Sequence, residues 1–472
     1  MIHFTSTDHK AVISTFKTDN FVRGKGVWIF NESLLFNQDF CKNMSDFIKN
    51  YYNELIEDQI FTNQEIWDLL KIGIRDECIS FSRNSKRKLL IQDNIDNELF
   101  DLSSDLASSP NDIDLINKLA LLSSKTELLE LEKSNGAIKR AKLVNIQEGE
   151  RNSALFLSLE QTKQSQQIIR EVYDRDGQIV NTPGGILSEI SSFYKSLMNV
   201  DLSNNDTNLD HNMFLDNFLE GTDYPILSEE EKLSLESPIS INELSSALKL
   251  LNSDSSPGCD GLSSAFYSSF WNELKSPLFK SYIESIDKGA LTLSQRRAIL
   301  TLLPKSKDGD LRNLAFWRPL SVTNIDYKIY SKILAIRMQS ILKTIIHRNQ
   351  VGYVEGRSIN DHIRLIDDIT NISNNEDLEG MLVSLDYRKA FDMLSKTSII
   401  SSLKRFNFGP IYINYVQTIL NGTEASVKNA GWLSAWFSTT RGVRQGCCLS
   451  PLLFILVVEL LSIKIKKTCK YP

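Results

Sequence analysis

The sequence predicts an α+β protein. Helical apolar spacing runs from Asn31 to about Lys142. After Phe266, helical stretches alternate with short apolar runs, such as Ile299–Leu303 and Met381–Leu385, that read as strands. Between them lie turn clusters, Ser256-Pro-Gly-Cys-Asp-Gly261 and Asp174-Arg-Asp-Gly177.

Taken in order, Lys10–Phe16 reads as a strand and Arg23–Phe30 as a glycine-punctuated turn and strand. Neither has a partner nearby, and a lone hairpin is marginal in water. They read as the end of a domain cut away before Met1. Leu34–Ile56, Gln64–Ile91 and Ile113–Leu131 read as amphipathic helices. Ile168–Val180 reads as a hairpin and Ile186–Met198 as a helix. Residues 199–231 carry nine acids and no Lys or Arg, which predicts an exposed, flexible joint. Ser240 opens a helix that runs through Leu251.

At 472 residues there is room for about three domains. Hydrophobic residues at 42% and charged residues at 24% fit a soluble globular protein. The net charge of −6 argues against blanket affinity for nucleic acid. Residues 281–350 run against that balance, with twelve Lys/Arg to five acids, so a local basic surface is expected there. The six cysteines show no Cys-x-x-Cys pair and fit a reducing compartment. The five histidines show no metal spacing. No signal peptide is legible. Leu449–Ile463 is broken by Pro451 and Glu459, so it reads as a buried helix and not a membrane span.

The chemistry gathers in the last third. Asp386 ends the apolar run Met381–Leu385, and a strand-end carboxylate can hold Mg²⁺ rigidly. Phe391 follows five residues later, where its ring can exclude a ribose 2′-hydroxyl. Asp392 reads as a cap for the helix that follows. Lys305 closes the strand Ile299–Pro304, and Arg318-Pro319 follows a loop later. A hairpin carrying these two cations can clamp a triphosphate. Gln445-Gly446 lets backbone approach a ligand closely, with Pro451 at a helix start. Gln350–Ser358 is a glycine-spaced loop bearing Arg357. Asp367-Asp368 lies on a helical pattern with Ile363, Ile366 and Ile369, which reads as a solvated face. Each signal alone has a plainer explanation as a turn, a cap or a surface charge.

In order and spacing, Pro304-Lys305, Trp317–Ser321, Gly352–Arg357, Asp386–Phe391 and Arg444–Pro451 resemble the reverse transcriptase of non-LTR (LINE-type) retrotransposons. Val144–Glu160, Asp174–Gly177 and Ser256–Gly261 resemble segments that precede the polymerase in that family. Ser6–His9 and Trp28–Leu35 resemble the close of its apurinic-type endonuclease.

The resemblance implies right-hand polymerase fingers with a partial palm. It implies an endonuclease remnant at 1–30, a mainly helical linker or N-terminal extension at 31–198, an acidic flexible loop at 199–232, fingers at 233–380 and a partial palm at 381–472. It implies Asp386 as a Mg²⁺ ligand and catalytic residue. Lys305, Arg318, Phe391, Gln445 and Gly446 would bind a deoxynucleoside triphosphate. Arg296, Arg297 and Arg357 would contact nucleic acid. Asp8 and His9 would belong to the endonuclease site. The implied partners are an RNA template and a DNA primer, with no membrane, in the nucleus or cytoplasm. Two further aspartates of the family's aromatic-x-Asp-Asp motif are not reached before Pro472, so negligible polymerisation by this chain is expected. Cys259 and Cys448 stand where the family usually has proline. A non-catalytic nucleic-acid-binding module and a non-functional pseudogene product are the alternatives.

Overall fold

Asn37 accepts the Phe40 N–H and starts helix α1 (Gln38–Glu57), whose Phe40, Met44, Ile48 and Leu55 fall on one buried stripe. The computed structural model describes residues 23–92, 102, 105, 112, 114–124, 168–199, 211–253, 255–305 and 309–468. Helix α2 (Asn63–Gln92) packs on α1, and residues 114–124 form α3. The hairpin β1 (Val172–Tyr173) and β2 (Ile179–Val180) turns through Asp174–Gly177. Thr182 caps α4 (Pro183–Leu197).

Helices α5 (His211–Leu219), α6 (Glu229–Leu235), α7 (Ile241–Lys249), α8 (Ser264–Ser269) and α9 (Trp271–Lys288) follow. Ser228 and Ser240 close capping boxes with Glu231 and Glu243. Strands β3 (Arg297–Pro304) and β4 (Trp317–Thr323) come next, then α10 (Ile325–Ile345) and α11 (Ile359–Asn375). The chain continues through α12 (Lys396–Arg405), α13 (Pro410–Leu420), β5 (Glu424–Asn429), β6 (Trp432–Leu433), β7 (Phe437–Ser438) and α14 (Ser450–Thr468).

The main sheet runs β4-β3-β5-β6, with β7 also on β5. β3 is antiparallel to β4 and parallel to β5. Helix α4 lays Ile186, Ile190 and Tyr194 on the sheet, in one core with Leu300, Leu302, Trp317 and Val427. The larger core is helical and joins α1 and α2 to α9, α10, α12, α13 and α14. No helix among the described residues is long and apolar enough to cross a membrane.

Four expectations change. Residues 23–30 are not a detached hairpin: Gly24 N–H donates to Ala430 O at 2.9 Å, Phe30 N–H donates to Gly261 O at 2.9 Å, and the Phe30 ring is buried. Residues 31–92 are no linker, because α1 and α2 complete the main core with Trp67 and Leu70. The acidic stretch is not all loop. It holds α5 and the start of α6, anchored by the buried Leu219, Leu227 and Leu235, which sequence charge conceals.

Met381–Leu385 is not a buried strand. It has no strand assignment, and Leu382 and Leu385 are 78% and 73% exposed. A strand needs a neighbour for its N–H and C=O groups, and none of the described strands lies beside it. Helix α11 does carry Asp367-Asp368 on a solvated helix, and its Ile359, Ile363 and Ile369 are exposed as well.

Candidate functional site

Alternation along β3 and β4 places two cations together. Leu303 pairs with Arg318 across the ladder, and Lys305 N–H donates to Phe316 O at 2.8 Å. Lys305 and Leu303 share a face, so Lys305 and Arg318 are diagonal neighbours on it. Both side chains are exposed.

Two distant segments meet beside this hairpin. Val443 N–H donates to Phe391 O at 2.8 Å and Gly442 N–H to Leu394 O at 2.7 Å. Gly442 has φ +85, and a Cβ there would sit 2.6 Å from Asp392 O, so only glycine suits both demands. Ser321 N–H donates to Gln445 O at 2.9 Å, which ties β4 to the same loop. Gly446 has φ +101 and lies over Ser321 O. The Phe391 ring stacks on Phe454 of α14, with centroids 5.4 Å apart, and Tyr387 meets Phe454 edge-on.

Asp392 is the residue that sequence reasoning missed. It caps nothing: the single turn Ala390–Met393 starts at Lys389, and Ser395 caps α12. It is 2% exposed, accepts Gln445 Nε2–H at 2.8 Å on Oδ1, and leaves Oδ2 without a partner. Burial raises its carboxyl to about 6, against the pull of Lys389, the Gln445 bond and Lys305. Lys389, half-buried, donates to Trp317 O and titrates below the ordinary lysine range because of burial. Asp392 lines a cavity of about 40 Å³ together with Ser321, Tyr327, Lys396 and Arg444. Such a volume holds on the order of one water. Lys396 donates to Leu420 O, Thr423 Oγ1 and Thr439 O, and burial lowers it to about 8. A sequence signal for Asp392 did exist: a second acid directly after the aromatic that faces the Gln445 loop.

The other expected residues are placed as follows. Asp386 is exposed in the extended segment before Tyr387 and does not line the cavity. The Arg297 guanidinium pairs with Glu424 at 2.8 Å and stacks on Trp436. Arg357 donates to the His347, Gln350 and Ile346 carbonyls, closing the end of α10. Arg296 reaches Gly422 O, while its Nε is buried without a partner. The forks of Arg297 and Arg357 are thus taken by the protein itself, a fact that spacing cannot show. Asp8 and His9 lie outside the described residues. No cluster of three metal-binding side chains occurs among the described residues. Mg²⁺ needs only one or two carboxylates when substrate phosphates supply the rest, and a lone exposed Asp386 is compatible with that.

Residues 304–471 match the family model described as reverse transcriptase (RNA-dependent DNA polymerase). This part of the chain is a reverse transcriptase domain, and the match spans β4, the Phe391 turn and the Gln445 loop. The chain is 33% identical over 435 residues to the Transposon TX1 uncharacterized 149 kDa protein of Xenopus laevis, covering 92% of this chain and 32% of that protein. It is 29% identical over 235 residues to a retrovirus-related Pol polyprotein from type-1 retrotransposable element R2 of Popillia japonica, covering 49% of this chain and 31% of that one. A third relative, the Pol polyprotein from type-2 retrotransposable element R2DM of Drosophila melanogaster, is 31% identical over 171 residues, 36% of this chain and 16% of its own length. The relatives matched across the chain are proteins of transposon TX1 and of R2 retrotransposable elements, so the similarity points to the reverse transcriptases of non-LTR retrotransposons. The chain spans about a third or less of the length of these relatives.

Proposed function

We propose that this chain supplies the nucleotide-binding and template-binding part of an RNA-directed DNA polymerase, with fingers over 233–380 and palm from 381. Asp8 and His9 would belong to an endonuclease segment ahead of residue 30. The observation that carries the reading is the meeting of Lys305 and Arg318 on one hairpin face with the Phe391–Asp392 turn and the Gln445–Gly446 loop.

Lys305 and Arg318 would hold the triphosphate, the arginine fork matching phosphate oxygens. Phe391, fixed on Phe454, would lie against the sugar and reject a 2′-hydroxyl. Gln445, held through Nε2 by Asp392, would present its carbonyl oxygen towards the nucleotide. Asp386 would hold Mg²⁺, and the metal, when bound, would neutralise charge that develops at the reacting phosphate. An RNA template and a DNA primer are the proposed partners.

Titration of the purified chain with dTTP and Mg²⁺ in a calorimeter tests this. The expected result is saturable binding that weakens on the order of tenfold in Lys305→Ala and in Arg318→Ala, each loss being one charge-assisted contact. Phe391→Val should bring UTP binding close to that of dTTP. No binding by the unsubstituted chain, or binding by both cation variants as tight as that of the unsubstituted chain, would overturn the reading.

A further inference from the structure

Helices α10 and α14 both begin at the cavity, through Tyr327 and Ser450, and both end at one cleft. At 1.5 Å per residue, the 21 residues of α10 put the cleft roughly 30 Å from the cavity. The cleft measures about 700 Å³ and its far wall is Gly221–Pro225. Lys343, Arg348, Lys466 and Lys467 line it, against Asp223 and Glu459.

The charge there is only partly offset, by the field of Glu459 on Lys466. Lys343, Arg348 and Lys466 are exposed and make no ion pair among the described residues. Glu459 is 1% exposed and already accepts the His347 N–H at 3.1 Å. Lys467 donates to the Glu220 and Gly221 carbonyls. Glu231, on the neighbouring α6, is taken up by Thr344 and Ser228. The Thr222 hydroxyl is buried in the wall without a partner. The His347 imidazole reports the field: burial first, then Lys466, Arg348 and Arg357, hold it below its usual range.

Cations in the last turns of α10 and α14 complement the helix dipoles, which accounts for Lys343, Lys466 and Lys467 singly. It does not account for Arg348, which lies beyond the end of α10, nor for convergence on one cleft in a protein of net charge −6. Such a local concentration of unpaired cations suits a polyanion.

We propose that this cleft is a second anchoring site, remote from the nucleotide, for the phosphodiester backbone of an RNA strand. The inference rests on the polymerase reading above. Fluorescence anisotropy with a 5′-labelled single-stranded RNA of about twenty nucleotides tests it, since a strand of that length reaches well beyond one contact. In a Lys343→Gln, Arg348→Gln, Lys466→Gln variant, affinity should fall on the order of tenfold. The slope of log affinity against log salt should shrink by about two, at roughly 0.7 per lost contact. A control with Lys42→Gln, Lys49→Gln and Lys249→Gln, all exposed, makes the same charge change elsewhere and should leave both values unchanged.

Unchanged binding in the cleft variant overturns the proposal, and so does equal weakening in the control. Equally strong competition by polyglutamate overturns it in favour of an acidic protein partner. Absence of RNA binding by the unsubstituted chain also overturns it. That outcome is distinct from failure of the polymerase reading, which shows as loss of dTTP binding.

Discussion

Two buried acidic sites stand at opposite ends of a contrast. At the first, Lys71 of α2 meets Asp326 at 2.6 Å and Asp260 at 3.4 Å, with Asp68 at 4.0 Å. Every carboxylate there has further donors: Trp67 Nε1–H and the Tyr327 N–H on Asp326, the Leu262 N–H on Asp260, and Thr292 and Ser294 on Asp68. At the second, Asp392 has one donor, Gln445, and an oxygen with none. The first site is closed and joins α2 to the turn before α8 and to the start of α10. The second is left open beside a cavity. A buried carboxylate met by a counter-charge and several donors holds elements together, whereas one with a single donor and a free oxygen stands out as a candidate functional group.

The sharpest way to break the contrast is to empty the closed site. Burial works against the Lys71 charge, yet Asp326, Asp260 and Asp68 hold the ammonium above its ordinary range. Lys71→Met leaves buried carboxylates with no counter-charge. It should cost about 3–5 kcal/mol in urea unfolding at pH 7, as breaking one side of a buried pair does. The loss should shrink on acidification, because the stranded acids can then take up protons. A cost below about 1 kcal/mol would show that the site is not a clamp.

The open site should respond in the opposite direction. The Asp392 carboxyl titrates at about 6 when folded, above an ordinary unfolded value of about 3.9. Folding therefore binds this proton more tightly, and the group weakens the fold above pH 6 while costing nothing once both states are protonated below pH 4. Asp392→Asn should accordingly stabilise the chain by about 1–3 kcal/mol at pH 8, with the gain fading towards pH 4. Urea titrations at the two pH values give the difference directly. The same variant should weaken dTTP binding, because an Asn amide no longer fixes which way Gln445 points. Stability lost at pH 8 would mean that Asp392 is as closed a site as Lys71.

Much of this was legible beforehand, and the division has a physical cause. The β3–β4 hairpin, α4, the capped α7 and the buried α14 follow from local periodicity and caps, which act within a few residues. The meeting of the Phe391 turn with the Gln445 loop was legible only through motif order. Asp392 was misread because burial, not local pattern, decides between a cap and an ionisable site, and the burying residues lie some fifty positions away. Asp260 was likewise read as part of a turn. The turn is there, with Gly261 at φ +75, but its acid faces Lys71, nearly two hundred residues earlier. Met381–Leu385 erred the other way: its composition asks for a strand, and only a neighbouring strand can grant one.

The finest test separates closure by charge from closure by hydrogen bonds. Ser294 Oγ donates to Asp68 at 2.6 Å and accepts from Lys71. Removing it leaves Asp68 with the Thr292 hydroxyl at 2.8 Å and the Ser294 N–H at 3.2 Å, and leaves Lys71 with Asp326 and Asp260. No buried group becomes orphaned, so Ser294→Ala should cost only about 0.5–1.5 kcal/mol, the net worth of a single hydrogen bond. A double-mutant cycle with Lys71→Met should then show a coupling near that whole value, since the two substitutions disturb one network. A loss above about 3 kcal/mol from the serine alone would mean that the site has no spare donors, and that its closure is as incomplete as that of Asp392.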